Sequence, residues 1–232
     1  MGLAAERRPR ATLADLETVP PTMIGELIRG TLYLFPRPGP QHAHASTALT
    51  VEIAGPFQRG RGGPGGWRIL DEPELLLGPA GDEDDLIPDL AGWRVERMPR
   101  LPATAKFTLT PDWVCEVLSP STMVVDRVEK MPAYAKHGVR HLWLLDPLAR
   151  TLEAFALEAG RWVVLGVHHG SARVRLEPFD AIELDLAVLW DDIDEGPGRS
   201  SPGILADAAK PAPRASPSTA KAKRSPPKGR SK

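Results

Sequence analysis

The chain has 232 residues, 42% hydrophobic and 25% charged, which gives room for one full-sized core and falls in the ordinary range of soluble globular domains. No run approaches the roughly 18 continuous apolar residues that cross a bilayer, and the opening MGLAAERRPRATLADLE lacks the apolar stretch of a signal peptide, so the cytoplasm is the default compartment and no membrane partner is expected. The single cysteine, Cys115, excludes an intramolecular disulfide, a paired-cysteine redox centre and a Cys-based zinc site.

The net charge of -1 hides an uneven distribution. From Arg199 onward nine basic residues face one acid, Asp207; removing these from the totals of 29 and 30 leaves 20 basic and 29 acidic residues, about -9 for the rest.

Residues 1–11 read as a flexible N-terminus, residues 12–195 as the folded domain, and residues 196–232, rich in Pro, Ala, Ser and Lys, as a disordered basic tail. Thr12 caps a short helix running to Glu17. Two strand-like runs, 23–28 and 31–35, flank Arg29-Gly30 and predict a tight hairpin. Counting by twos puts Ile24, Glu26 and Ile28 on one face, a carboxylate among apolar neighbours. After PRPGP, helical spacing runs from Gln41 to about Phe57, with His42 at its start. The stretch RGRGGPGGW lacks the Gly-Lys-Ser/Thr ending of a phosphate-binding loop and reads as irregular chain.

Strands are expected at 67–70, 74–77, 86–93 and 113–118. A Ser-Pro-Ser-Thr turn at 119–122 then opens a helix to about Lys136, which Gly138 ends. The strand HLWLLD follows, then a hairpin across Glu158–Gly160. Strand, helix and strand alternating around 112–146 predict an α/β (α+β) fold, a central mixed sheet flanked by helices.

Asp89 in LIPDLAGW and Glu116 in DWVCEVLSP lie among residues that would otherwise be buried. A lone ionised carboxylate is costly to bury, so such groups are paired, hydrogen-bonded or joined by a cation. A hard ion that prefers oxygen suits them, which favours magnesium over zinc. Asp126, Lys130 and Tyr134, spaced by four, form one helical stripe that can bring an ammonium to the carboxylates, although Pro132 disturbs the helix there. Structural roles compete: Asp126 with Lys130 as a surface ion pair, Asp89 and Asp112 as turn residues, Glu26 paired with Arg29 or Arg94.

The block PDWVCEVLSPSTMVVDRVEKMPAYAKHGVRHLWLLDP closely resembles the signature of the Uma2 family, similar in fold to restriction endonucleases of the PD-(D/E)XK type. GELIRGTLYLFPRPGPQH and LIPDLAGW resemble its opening hairpin and its central Pro-Asp strand. The resemblance spans roughly residues 12–190. It implies a metal-dependent endonuclease acting on DNA, with Asp89 and Glu116 as metal carboxylates and magnesium or manganese as cofactor. Lys130 becomes the catalytic base or water-orienting group, Glu26 an additional acidic residue and His42 an accessory; a homodimer is a further expectation. The general nuclease motif places Lys two residues after Glu, yet Leu118 stands there, so the amine has to come from the helix. The competing reading is a catalytically weak nuclease-fold module that binds nucleic acid or a protein through its basic tail. A zinc hydrolase built on His42 and His44 lacks a third ligand with recognisable spacing. DNA affinity in an acidic body further calls for a locally basic groove, with Arg59, Arg61 and Arg68 as candidates, or for help from the basic tail.

Overall fold

A computed structural model describes residues 6–9 and 11–193, and expectations for the remaining residues, the basic tail among them, lie outside this range. In chain order the strands are β1 (Glu6–Pro9), β2 (Met23–Ile28), β3 (Thr31–Pro36), β4 (Trp67–Asp71), β5 (Leu75–Leu77), β6 (Asp84–Leu86), β7 (Leu90–Arg94), β8 (Trp113–Val117), β9 (His141–Asp146), β10 (Thr151–Glu158), β11 (Arg161–His169), β12 (Arg173–Val174) and β13 (Leu184–Asp185). The helices are α1 (Leu13–Leu16), α2 (Pro40–Ile53, prolonged by a π turn at Ala54–Gln58) and α3, residues 123–136, whose middle Asp126–Lys130 is also a π turn.

One sheet has the order β1-β3-β2-β6-β5, a second the order β11-β10-β9-β8-β7-β4, and β12 pairs with β13. Only β8 and β9 run parallel among the named strand pairs, and α3 makes the crossover between them, so the larger sheet is mixed as expected. Among the described residues no helix is long and apolar enough to cross a membrane.

The two-residue period of the strands sorts the core. From β8, Trp113, Cys115 and Val117 face the layer of α2, where Leu49, Ile53 and Phe57 lie buried; Val114 and Leu118 face α3 and the smaller sheet. From β9, Trp143 and Leu145 take the first side, Leu142 and Leu144 the second. The larger sheet is therefore covered on both faces, which explains its nearly continuous apolar strands. Glu116 lies between Val114 and Leu118 and projects toward the α3 side.

Several expectations hold and several are corrected. Arg29 and Gly30 both take positive φ, 52° and 72°, as the two-residue hairpin turn demands. Thr12 caps α1 reciprocally, its N–H donating to Asp15 Oδ2 at 2.8 Å. Residues 6–9, expected to be flexible, instead form an edge strand paired with β3. The single strand expected over 86–93 is two strands in different sheets: β6 ends at Leu86 and β7 starts at Leu90. Pro88 has no N–H for a ladder and restricts Ile87, so pairing stops there and the chain steps from one sheet to the other.

Phe179 fastens the α2 side of the core. Its ring lies 4.7 Å from Phe57, 4.9 Å from Trp67 and from Trp113, and 5.6 Å from Trp143, all tilted or edge-on. Phe179→Ala should lower unfolding free energy by about 3–5 kcal/mol in urea denaturation. A loss below about 1 kcal/mol would show that this aromatic cluster does not hold the layer.

Candidate active site

The step between the sheets creates the site. Lys130 Nζ donates to Glu26 Oε1 at 3.1 Å, to the Glu116 carboxylate at 2.9 Å and to the carbonyl of Ile87 at 3.2 Å, and Asp126 Oδ1 lies 4.0 Å away. It thereby joins the smaller sheet through β2, the larger sheet through β8, the crossover between them, and its own helix. Lys130, Glu26, Glu116 and Asp126 are each 3% exposed or less. Tyr134, one turn further on, donates its hydroxyl to Glu116 Oε1.

The π turn resolves the irregularity at Pro132. Widening the helix at Asp126–Lys130 lets the following α-helical segment begin at Met131, with Pro132 in its first turn, where a missing N–H costs little. Lys130 and Tyr134 keep their common direction. Asp126 and Lys130 are buried partners in the cluster, which overturns the surface ion-pair reading, and Glu26 pairs with Lys130 rather than with Arg29 or Arg94.

Asp89 sits at the crossover itself. Its Oδ2 accepts the N–H of Val117 at 2.6 Å, and its Oδ1 lies 3.1 Å from His42 Nε2. Pro40 starts α2, so His42 lies in its first turn, within reach of Asp89. Asp112, by contrast, is structural: it accepts the N–H of Arg94 and pairs with Arg97 at 2.7 Å, away from the site.

A cleft of about 600 Å³ opens here, lined by Glu26, His42, Asp89, Glu116, Asp126 and Lys130 together with Glu72, Arg37 and Ser119–Thr122. All five residues proposed from sequence as catalytic thus meet in one place. Sequence reasoning missed Glu72 and Arg37; the Glu72 N–H donates to the Asp89 carbonyl at 3.0 Å, a contact without a local pattern. Arg59, Arg61 and Arg68 do not line the cleft. Arg68 pairs in register with Trp93, toward the end of β7 remote from Asp89, and its guanidinium bonds the carbonyl of Pro99.

Burial governs the proton affinities. It raises Glu26 to about 7 and Asp126 to about 6 even though Lys130 pulls both down, and it drives Glu116 well above the carboxylate range. Burial alone would lower the proton affinity of Lys130, but Glu116, Glu26 and Asp126 outweigh it and raise that affinity above that of an ordinary lysine. An ammonium held this firmly is a fixed cation, not a proton acceptor. Burial also opposes charge on His42, yet the hydrogen bond and charge of Asp89 raise its pKa.

Four carboxylates around one ammonium leave an excess of negative charge, and Glu26 Oε2 is buried without a hydrogen-bond partner. Among the described residues no group of three or more His, Cys, Asp or Glu forms a ready cage for a metal. Asp89 and Glu116, which line the cleft, offer hard oxygens; Asp89 raises the proton affinity of Glu116 and Asp126, and Glu116 that of Lys130 and Tyr134. They fit a divalent cation that is content with one or two carboxylates and keeps most of its waters.

The mixed sheet, with its parallel β8–α3–β9 crossover and carboxylates gathered at the break between β6 and β7, is a restriction-endonuclease-like fold. The Uma2 family model, described as "Putative restriction endonuclease", matches residues 11–188, and the chain belongs to that family. Among solved structures, one described as a "putative nuclease belonging to DUF820", from Anabaena variabilis ATCC 29413, matches with 24% identity and a TM-score of 0.60, covering 78% of this chain and 97% of its own; the likeness is one of fold. No curated protein matches.

The raised acids carry a sign that can be tested. Between the ordinary carboxylate range and about pH 7 the folded state binds more protons than the unfolded chain, so its stability falls as pH rises. With a chelator present, the melting temperature should drop steadily from about pH 5 to about pH 8, and Glu26→Gln should flatten that slope, removing on the order of 3 kcal/mol of pH-dependent loss. A flat profile in the wild type would contradict the assignment of buried, proton-seeking carboxylates.

Proposed function

We propose that the chain is a magnesium-dependent nuclease, with manganese as a substitute, that hydrolyses phosphodiester bonds in DNA. The observation that carries this is the Lys130 ammonium locked between Glu26 and Glu116 at the base of a cleft that also contains Asp89. Membership of a restriction-endonuclease-like family supports the same chemistry.

Asp89 and Glu116 would hold the cation, whose contribution when bound is to polarise the phosphate and acidify a water molecule. Lys130, permanently charged, stabilises the negative charge that develops on phosphate oxygens. Tyr134 and Lys130 together fix the Glu116 carboxylate. Glu26, raised to about 7 and with Oε2 unpaired, accepts the proton of the attacking water. His42, whose proton is favoured by Asp89, holds that carboxylate in orientation and can return a proton to the leaving oxygen.

The test is metal-dependent cutting of supercoiled plasmid and of circular single-stranded DNA. Wild type should cut with magnesium or manganese and stop with chelator, while Glu116→Ala, Asp89→Ala and Lys130→Ala should each lose about 100-fold or more, the scale of removing an electrostatic contact to the transition state. Equal behaviour of wild type and all three variants would overturn the assignment and leave the nucleic-acid-binding module as the better reading.

A further inference from the structure

The lining of the cleft points to a substrate class, and the inference rests on the nuclease reading above. Besides the catalytic cluster, its walls are largely apolar: Phe35 and Pro36 from the end of β3, Pro38 from the turn between β3 and α2, and Pro120, Pro147 and Leu148 from the turns after β8 and β9. Besides His42, which is paired with Asp89, two basic residues line it. Lys130 is neutralised by Glu26 and Glu116, which leaves Arg37, exposed and bonded through its guanidinium to the carbonyl of Pro21 at 3.3 Å. Glu72 and Asp126 add negative charge to the same space.

A double helix shows a protein two rows of phosphates and keeps its bases stacked inside, so a duplex-cutting cleft needs a basic track on both sides. This cleft has no such track among the described residues, and the chain before Arg199 carries a net charge of about -9. Unpaired nucleotides offer the complementary chemistry. Their bases can be splayed onto apolar and aromatic walls, and only one phosphate has to pass the buried carboxylates. The volume of about 600 Å³ is that of a pocket for a compact ligand, enough for one or two nucleotides, and the reacting groups lie at its buried floor, where a rigid duplex backbone has to unwind to arrive.

We infer that the substrate is a single-stranded or unpaired stretch of nucleic acid whose bases lie against Phe35, Pro38, Pro120 and Leu148 while the scissile phosphate reaches the Glu116–Lys130 centre. Bond cleavage is the hydrolysis already described: water oxygen bonds to phosphorus, the bond from phosphorus to the leaving oxygen breaks, and that oxygen takes up a proton.

The experiment measures binding of the full chain, with chelator present, to a short fluorescent DNA oligonucleotide, single-stranded or fully paired, by anisotropy at about 0.15 M salt. The basic residues after Arg199 attract either form, so Leu148→Glu, which alters the half-buried wall alone, is measured beside wild type. Single strand should bind about tenfold or more tighter than duplex, and Leu148→Glu should abolish that preference while duplex binding stays within about twofold. A thermal melt establishes that the variant is folded. Duplex binding equal to or tighter than single strand, or a variant that retains the full preference, would overturn the inference. A single-strand preference without any metal-dependent cutting supports this inference and removes the hydrolytic reading, whereas equal cutting of both forms does the reverse.

Discussion

Everything in the site hangs on one buried ammonium at the floor of the cleft. Lys130 is 3% exposed and is bonded to carboxylates on both sheets and to the crossover that links them. Desolvating an isolated charge costs several kcal/mol, so neither Lys130 nor Glu26 nor Glu116 is tolerable there alone. Each makes the others possible. Deleting the lysine would leave two buried carboxylates facing Asp126 and Asp89, with protonation as their only local relief. The same arrangement crowds acidic groups around one cation, and a hard cation as proposed at Asp89 and Glu116 would offset that crowding. Stability and chemistry thus draw on one electrostatic imbalance.

The geometry follows from strand alternation and two local breaks. Alternation along β8 turns Glu116 away from the aromatic layer around Phe179 and toward α3. Pro88 ends one sheet and leaves Asp89 at the start of the next, where Val117 N–H can hold it. The π turn in α3 absorbs Pro132 and keeps Lys130 and Tyr134 on the same carboxylate. π turns of this kind recur at functional sites because they aim a side chain where a regular helix does not. A second π turn follows α2, where it delivers Phe57 to the core rather than a polar group to the cleft.

Periodicity alone made much of this legible. The β2–β3 hairpin, the helix carrying His42, the β8–α3–β9 crossover and the placing of Glu26 among apolar neighbours all follow from spacing and turn chemistry. Asp89, Glu116 and Glu26 stood out as carboxylates out of place on apolar strands, Lys130 through its helical stripe, and His42 through the family resemblance, which also supplied the roles. What escaped was decided by tertiary contact. Helical spacing joins Asp126 to Lys130 but does not say that their face is buried. ERRP at residues 6–9 has no strand pattern and becomes a strand only because β3 offers an open edge. Pro88 was visible, yet a break in one strand and a change of sheet look alike in sequence. Arg59, Arg61 and Arg68 look promising by charge, and the register of β4 against β7 carries Arg68 away from Asp89.

The central claim, that the Lys130-centred carboxylates form a cation-dependent hydrolytic centre, is tested most directly by crystals soaked in manganese and measured at its absorption edge. An anomalous peak is expected within bonding distance of Asp89 and Glu116, with Lys130 still against Glu116. A peak elsewhere on the molecule, or none at saturating manganese, would contradict it.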